Sequence, residues 1–226
     1  MIFKFKAGDP QWLELRCKYI TATESASLFG LNSYMSANQV YQQKHTKDKL
    51  ANRFLRDGKI LESAVLQAIR EDHGWWVEGL GGTDGNTVYT LNHAPISATP
   101  DAFRWDDPSI VECKTTSLES FDKNWRTGNP PLRYVAQVQV QMMVTGMLKG
   151  FLCCIAATPD IPLAVYQIDY CPMFTSRLVE LVEEYGLIHA NGGTIRVRSE
   201  DKRLGLECLS RSVNLVSLTR FTEDEE

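Results

Sequence analysis

Asp101, Glu112 and Lys114 are the residues whose types and spacing first suggest chemistry. Asp101 closes Ala98-Thr99-Pro100-Asp101, and Glu112 and Lys114 flank one residue in Ser109-Ile110-Val111-Glu112-Cys113-Lys114. Strand side chains alternate between faces, so this spacing predicts Glu112 and Lys114 on one side and Cys113 on the other, toward the core. An acid delivered by the preceding strand then completes a pocket of carboxylate oxygens beside one ammonium. Hard Mg²⁺ prefers oxygen ligands and keeps several waters, so such a pocket suits metal-assisted hydrolysis of a phosphodiester. The bland reading is a solvated turn at Pro100-Asp101 and an exposed Glu112–Lys114 ion pair worth little. Partial repeats of the pattern occur at Thr158-Pro159-Asp160, Asp57-Gly58-Lys59 and Glu200-Asp201-Lys202. None of them joins a Pro-Asp to an acid and lysine at the end of an apolar run.

The elements that must position these groups follow from the pattern around them. Asp9-Pro10 caps a helix carrying Trp12 and Arg16. Ile20-Thr21-Ala22-Thr23-Glu24-Ser25-Ala26 opens a second helix that ends near Gly30. Its N-terminus, with hydroxyls and free amides, is a ready phosphate site beside Arg16; ordinary capping is the competing reading. A polar helix over 36–50 holds the basic cluster Lys44, His45, Lys47 and Lys49. Residues 57–70 are amphipathic, with Leu61, Val65, Ala68 and Ile69 on the buried side and Glu62 at its border. A carboxylate so placed is unusual unless paired or metal-bound, which makes Glu62 a further candidate ligand. Extended segments at 87–91, 95–99 and 109–114 form a meander with Asp101 at one turn. Phe121 and Trp125, at helical spacing among cations, are more often core than DNA contacts. Residues 132–146 mimic a strand through Gln/Val alternation, but their length and the preceding Pro131 favour a helix with Tyr134, Gln137 and Gln141 on one stripe. Strands follow at 151–157 and 163–170, then a helix over 172–191 packing through Leu178, Leu181, Val182, Tyr185 and Ile188. The last thirty-odd residues are weakly patterned.

With 226 residues and no Pro/Gly/Ser-rich linker, one domain is the default, ending in a solvated acidic tail at about 222–226. A chain of that size needs no disulfide to hold it, and its six cysteines, without a CxxC, read as reduced core residues. No signal peptide or transmembrane stretch is visible, so a soluble cytoplasmic protein is expected. The formal charge of −4 comes from the four acids at 223–226 and argues only against strong non-specific nucleic-acid binding.

Five blocks, taken in order, resemble the YqaJ-type or phage lambda-type alkaline exonucleases of the PD-(D/E)xK nuclease superfamily. They are Trp12-Leu13-Glu14-Leu15-Arg16 with Ile20-Thr21-Ala22-Thr23, Gly58-Lys59-Ile60-Leu61-Glu62, Ala98-Thr99-Pro100-Asp101, Val111-Glu112-Cys113-Lys114 and Tyr134-Val135-Ala136-Gln137-Val138-Gln139. The resemblance implies an α/β fold with a mixed central sheet flanked by helices, the restriction-endonuclease-like core. It implies digestion of the 5′ strand of linear duplex DNA ends to leave a 3′ overhang, by a ring-shaped homotrimer working beside a single-strand annealing protein in the bacterial cytoplasm. It implies a pair of Mg²⁺ ions, replaceable by Mn²⁺, held by Glu62, Asp101, Glu112 and the Cys113 carbonyl. Lys114 then orients or helps deprotonate the attacking water, Gln137 lies near the nucleophile, and Arg16, Thr23 and Tyr134 contact the 5′-phosphate or DNA. Thr23 stands where a serine is common. Relatives carry a further arginine after the lysine, where this chain reads Thr115-Thr116-Ser117-Leu118-Glu119-Ser120, with Lys123 or Arg126 as substitutes. The rivals are a PD-(D/E)xK endonuclease or junction-processing nuclease, an iron–sulfur relative, for which the cysteine spacing is wrong, and a DNA-binding module without catalysis.

Overall fold

The structure, a computed structural model, describes residues 1–5, 9–45, 53–82, 85–158 and 162–219. Strand β1 (Ile2–Phe5) precedes helix α1 (Pro10–Lys18). The start of α1 is closed as the sequence predicts, with Asp9 Oδ1 accepting the Gln11 N–H at 2.8 Å and Pro10 where no N–H is required. Next come β2 (Ile20–Thr21), a 3₁₀ turn at Ala22–Glu24, the single-turn α2 (Ser25–Leu28), α3 (Ala37–His45) and α4 (Arg53–His73). Six short strands follow: β3 (Val77–Gly79), β4 (Gly81–Gly82), β5 (Gly85–Thr90), β6 (Ile96–Ala98), β7 (Ala102–Arg104) and β8 (Ser109–Thr116). Helices α5 (Leu118–Asn124) and α6 (Leu132–Thr145) cross over to β9 (Lys149–Ala156) and β10 (Leu163–Asp169), and α7 (Pro172–Ala190), α8 (Ser199–Arg211) and β11 (Val213–Thr219) complete the described chain. Lys47, Lys49, Pro159, Asp160 and the acidic tail lie outside the described residues.

The strands make two mixed sheets. The smaller runs β1-β5-β6-β2 with β4 paired to β5, and the larger runs β11-β10-β9-β8-β7-β3. Within the larger sheet β8 and β9 are parallel, whereas β7 pairs antiparallel with β8. This corrects the expected meander: β5 and β6 pair with each other in the smaller sheet, while β8 belongs to the larger. The chain changes sheets through Thr99-Pro100-Asp101. Strand β7, which makes the change possible, is three residues long, too short to show an alternating period.

β8, β9 and β10 are buried on both faces and sort their side chains by parity. Ile110, Leu152 and Cys154 join the core cluster that includes Val135 and Val138 of α6, whereas Val111, Cys113 and Cys153 pack with Val65 and Ile69 of α4. Residues 132–145 are indeed helical, with Gly146 ending α6 at a φ of 76°. The helix lies close on the sheet because Gly150 has no side chain; a Cβ there would stand 2.6 Å from Val138 Cγ1 and 2.9 Å from Ile110 Cγ1. Gly150→Ala is therefore expected to lower the unfolding free energy by about 1–3 kcal/mol, seen as an earlier urea midpoint with an unchanged slope.

The weakly patterned C-terminal stretch contains α8 and β11, which extends the larger sheet along β10. A register shift opposite Val165/Tyr166 places one extra residue in β11 and breaks its two-residue period, so its sequence hides the strand. Along α7, Leu178, Leu181, Val182 and Tyr185 face the core as expected, but Ile188 is at the surface. Asp201, the middle residue of the partial repeat Glu200-Asp201-Lys202, is 3% exposed and accepts from Arg177 Nε and Arg198 Nε, both at 2.8 Å. It fastens α7 to α8 and lies in a different network from Glu112. Asp201→Ala should cost roughly 2–3 kcal/mol, less than a wholly buried pair because Arg198 stays half exposed, as a urea titration will show. Among the described residues no helix is long and apolar enough to cross a membrane.

Candidate active site

Glu112 is the centre of the site. It lies mid-strand on β8, 1% exposed, on the face covered by α6. Its Oε1 is ion-paired with Lys114 Nζ and accepts Gln137 Nε2 at 2.5 Å, while Oε2 accepts Gln141 Nε2 at 2.5 Å. Gln137 and Gln141 are one helical turn apart, so α6 offers both amides to one carboxylate. The Lys114 ammonium also lies over the Tyr134 ring, 5.0 Å from its centroid, and that ring stacks on buried Trp125. The exposed ion pair of the bland reading is thus excluded. A carboxylate this buried persists only with charge and hydrogen bonds around it.

Asp101 reaches the same place from the segment between the sheets. Cys113 points to the α4 side, as its parity predicts, and its N–H donates to Asp101 Oδ2 at 2.8 Å. Burial, and then the neighbouring Glu112 charge, raise the Asp101 carboxyl well above its ordinary range; Glu62 adds to this, and Lys114 and the Cys113 N–H only partly offset it. Burial works against the charge of Lys114, but Glu112 and Asp101 outweigh it, and the ammonium is held above the ordinary lysine range. Lys114 is therefore a cationic donor to Glu112 here. The Cys113 thiol, pushed well up by burial, is inert filling.

The residues fit a hard cation at an open site. Glu62, Asp101 and Glu112 supply oxygen only, their charges act on one another, and two buried amide oxygens beside them, Gln137 Oε1 and Gln141 Oε1, have no partner among the described residues. Among the described residues no three acidic, histidine or cysteine side chains close into a complete metal cluster. One or two carboxylates with water is the habit of Mg²⁺, whereas an all-protein cage is not. The sign of the pH effect follows from Asp101. Its folded pKa exceeds the ordinary 3.8, so in EDTA its contribution to stability is lost as pH rises above 3.8 through the raised value. A divalent cation competes with that proton, so the rise in melting temperature on adding Mg²⁺ or Mn²⁺ should grow with pH, as thermal melts across a pH series will show.

The expected end pocket is only partly assembled. Arg16 is exposed, with its guanidinium 5.0 Å from the Trp12 ring, and Thr23 is exposed with its hydroxyl 3.1 Å from that of Thr21. The expected helix N-terminus is a 3₁₀ turn followed by one helical turn, and it carries its own anion: Glu24 Oε2 accepts the Thr21 N–H at 2.8 Å. Lys44 neutralises Glu24 and also donates to the Arg16 carbonyl at 2.8 Å, tying α1 to this turn. The Thr21 and Glu24 amides are therefore taken up by the cap, and the Arg16 and Thr23 side chains are the exposed groups of the expected pocket. Tyr134 is half-buried between Lys114 and Arg133, whose guanidinium also lies 5.1 Å from the exposed Tyr34 ring. Arg126 pairs with Asp122 on α5. Sequence reasoning placed Gln141 on the right stripe without a role and missed the Lys44–Glu24 pair; the i, i+4 repeat of glutamine was the available signal for the first.

A mixed sheet with an acid at a sheet-changing turn, and an acid and a lysine two residues apart on the next long strand, defines the restriction-endonuclease-like, PD-(D/E)xK class of fold. The chain belongs to the YqaJ-like viral recombinase domain family, whose sequence model matches residues 11–148. An alkaline exonuclease from Laribacter hongkongensis has a similar structure, with a TM-score of 0.64 and 19% identity over 90% of this chain and 100% of that one. The same enzyme in complex with dAMP gives a TM-score of 0.63 at 18% identity, again over 90% and 100% of the two chains. A phage-related exonuclease from Haemophilus somnus 129PT gives 0.53 at 11% identity, covering 76% of this chain and 96% of that one. No curated protein matches by sequence.

Proposed function

We propose that the chain is a divalent-metal-dependent exonuclease that digests the 5′ strand of linear double-stranded DNA and leaves a 3′ overhang for recombination. The observation that carries the reading is buried Glu112 held by Lys114, Gln137 and Gln141 beside Asp101. Family membership supports the recombination context, and the similar structures named exonucleases support the reaction class. Glu62, Asp101, Glu112 and the Cys113 carbonyl are the groups that would hold Mg²⁺, or Mn²⁺ in its place. Bound there, the ion supplies an activated water and charge stabilisation at phosphorus. Lys114 holds Glu112 in place and donates to the attacking oxygen. Gln137 and Gln141 fix the Glu112 carboxylate. Arg16 and Thr23 bind the terminal 5′-phosphate, and Tyr134 lines the approach of the DNA strand. The same reading takes a ring-shaped homotrimer and a single-strand annealing partner in the bacterial cytoplasm.

The test is digestion of linear duplexes labelled on one strand, with 5′-phosphate or 5′-hydroxyl ends, in Mg²⁺ or EDTA, beside a closed circular plasmid. Loss of the 5′ strand that needs Mg²⁺ and spares the circle is the expected result. Cutting of the closed circle would instead make the protein an endonuclease, and the absence of cleavage with any divalent ion would end the enzymatic reading.

A further inference from the structure

Helix α6 carries three buried glutamines, and they are satisfied differently. Gln139 uses both ends of its amide: Nε2 donates to the Asp169 carbonyl at 2.7 Å, and Oε1 accepts the Cys171 N–H at 2.8 Å. It braces α6 against the junction of β10 and α7, and no polar atom is left over. Gln137 and Gln141 each give Nε2 to Glu112 and leave Oε1 buried without a partner among the described residues. Turning those amides over would set oxygen against carboxylate oxygen, because an ionised carboxylate only accepts. Charged Glu112 thus dictates two orphan acceptors beside itself, a penalty that the structural Gln139 avoids.

The two amides are not equivalent. Gln137 shares Oε1 with Lys114, whereas among the described residues Gln141 is the donor to Oε2. Gln141 Nε2 also lies 3.5 Å from the carbonyl of Thr99, two residues before Asp101. One side chain therefore spans from the strand that carries one acid to the turn that carries the other. Without it, the Glu112 carboxylate keeps its anchor at Oε1 and is free to rotate about it.

We propose that Gln141 is a positioning residue for the cation site: it fixes Glu112 Oε2 against the Thr99–Asp101 turn and presents Oε1 as an acceptor for water held on the ion. The proposal rests on the metal-dependent nuclease reading. Its test is calorimetric titration of Mn²⁺ into the DNA-free protein for wild type, Gln141→Met and Gln139→Met, with melting temperatures in EDTA and steady-state cleavage at varied Mn²⁺ and DNA. For Gln141→Met the Mn²⁺ dissociation constant is expected to rise about tenfold, as is usual when a partner of a metal ligand is removed. The Mn²⁺ concentration for half-maximal cleavage should rise in parallel, with KM for DNA at saturating metal unchanged and the EDTA melting temperature little changed, because the lost donor to Oε2 is offset by removal of the orphan Oε1. Gln139→Met, the same chemical change two residues away, should lower the melting temperature and leave Mn²⁺ affinity alone. Gln141→Asn, which retains the amide on a shorter arm, should fall between wild type and Gln141→Met and serves if the latter does not fold. Wild-type Mn²⁺ affinity in Gln141→Met or Gln141→Asn, or an equal loss in Gln139→Met, overturns the role of Gln141. A wild-type protein that binds no Mn²⁺ overturns the metal reading and this proposal with it.

Discussion

Replacing Glu112 by glutamine is expected to reduce cleavage of linear duplex DNA by roughly 10³-fold or more, the scale of several kcal/mol of charge stabilisation. The substitution preserves shape, but Gln137 Nε2, Gln141 Nε2 and Lys114 Nζ all converge on this carboxylate as donors. An amide there offers one acceptor where the carboxylate offered two oxygens. One donor is left unmet and Lys114 loses its counterion, so the folded state should weaken by about 1–3 kcal/mol. That loss is small beside the catalytic one. Circular dichroism should show a folded protein, fluorescence anisotropy should show DNA binding within a few-fold of wild type, and Mn²⁺ should no longer raise the melting temperature. Near-wild-type cleavage by Glu112→Gln would remove Glu112 from the chemistry and leave it a buried strut.

The second large effect is at Lys114, and its signature differs in kind. Lys114→Met removes the ammonium but keeps a long apolar stem against Tyr134, whose ring now faces Nζ at 5.0 Å. Cleavage should fall by about 10²–10⁴-fold, the range for a positioned proton-handling or water-orienting group. Metal affinity should move the other way. Glu112 loses the cation that competes with a divalent ion for Oε1, so Mn²⁺ should bind at least as tightly as in wild type. In EDTA the variant leaves Glu112 buried with only two amide donors and should lose roughly 2–4 kcal/mol of stability, discounted because Lys114 retains 20% exposure; saturating Mn²⁺ should restore most of it. Parallel loss of cleavage and metal binding in Lys114→Met would mean that the lysine supports the fold of the site and not the reaction.

The Glu112–Cys113–Lys114 geometry was legible because it depends on one local rule, the two-residue alternation of a strand. Cys113 in the α4-facing cluster and Glu112 against α6 are its direct outcome. Helix α6 was legible despite its Gln/Val alternation because it is long and starts after Pro131. What stayed hidden was non-local. The partners of β5, β6 and β8 are chosen by packing between distant segments, so a meander and a change of sheet look alike in the chain. Lys44 meets Glu24 across twenty residues, and neither carries a local sign of the other. Thr21-Ala22-Thr23-Glu24 has the spacing of both a phosphate cradle and a capping box, and the side chain of Glu24 decides for the second.

The change of sheet at Thr99-Pro100-Asp101 also sets an order of assembly. Every strand of the smaller sheet comes from residues 2–98, so its pairings are available once that length of chain exists. The larger sheet can pair β3, β7 and β8 from residues 77–116, but β9, β10 and β11 must wait. Its parallel pairing runs from Ile110 with Gly150 to Thr116 with Ala156, across the α5–α6 crossover, and closing so long a loop precedes any gain from the contacts. Glu112 meets the amides of α6 in the same step. A chain still growing through α6 thus carries Asp101 next to β7, and Glu112 and Lys114 on β8, before the α6 amides are fixed over them, and the proposed site is completed only when β9 docks beside β8.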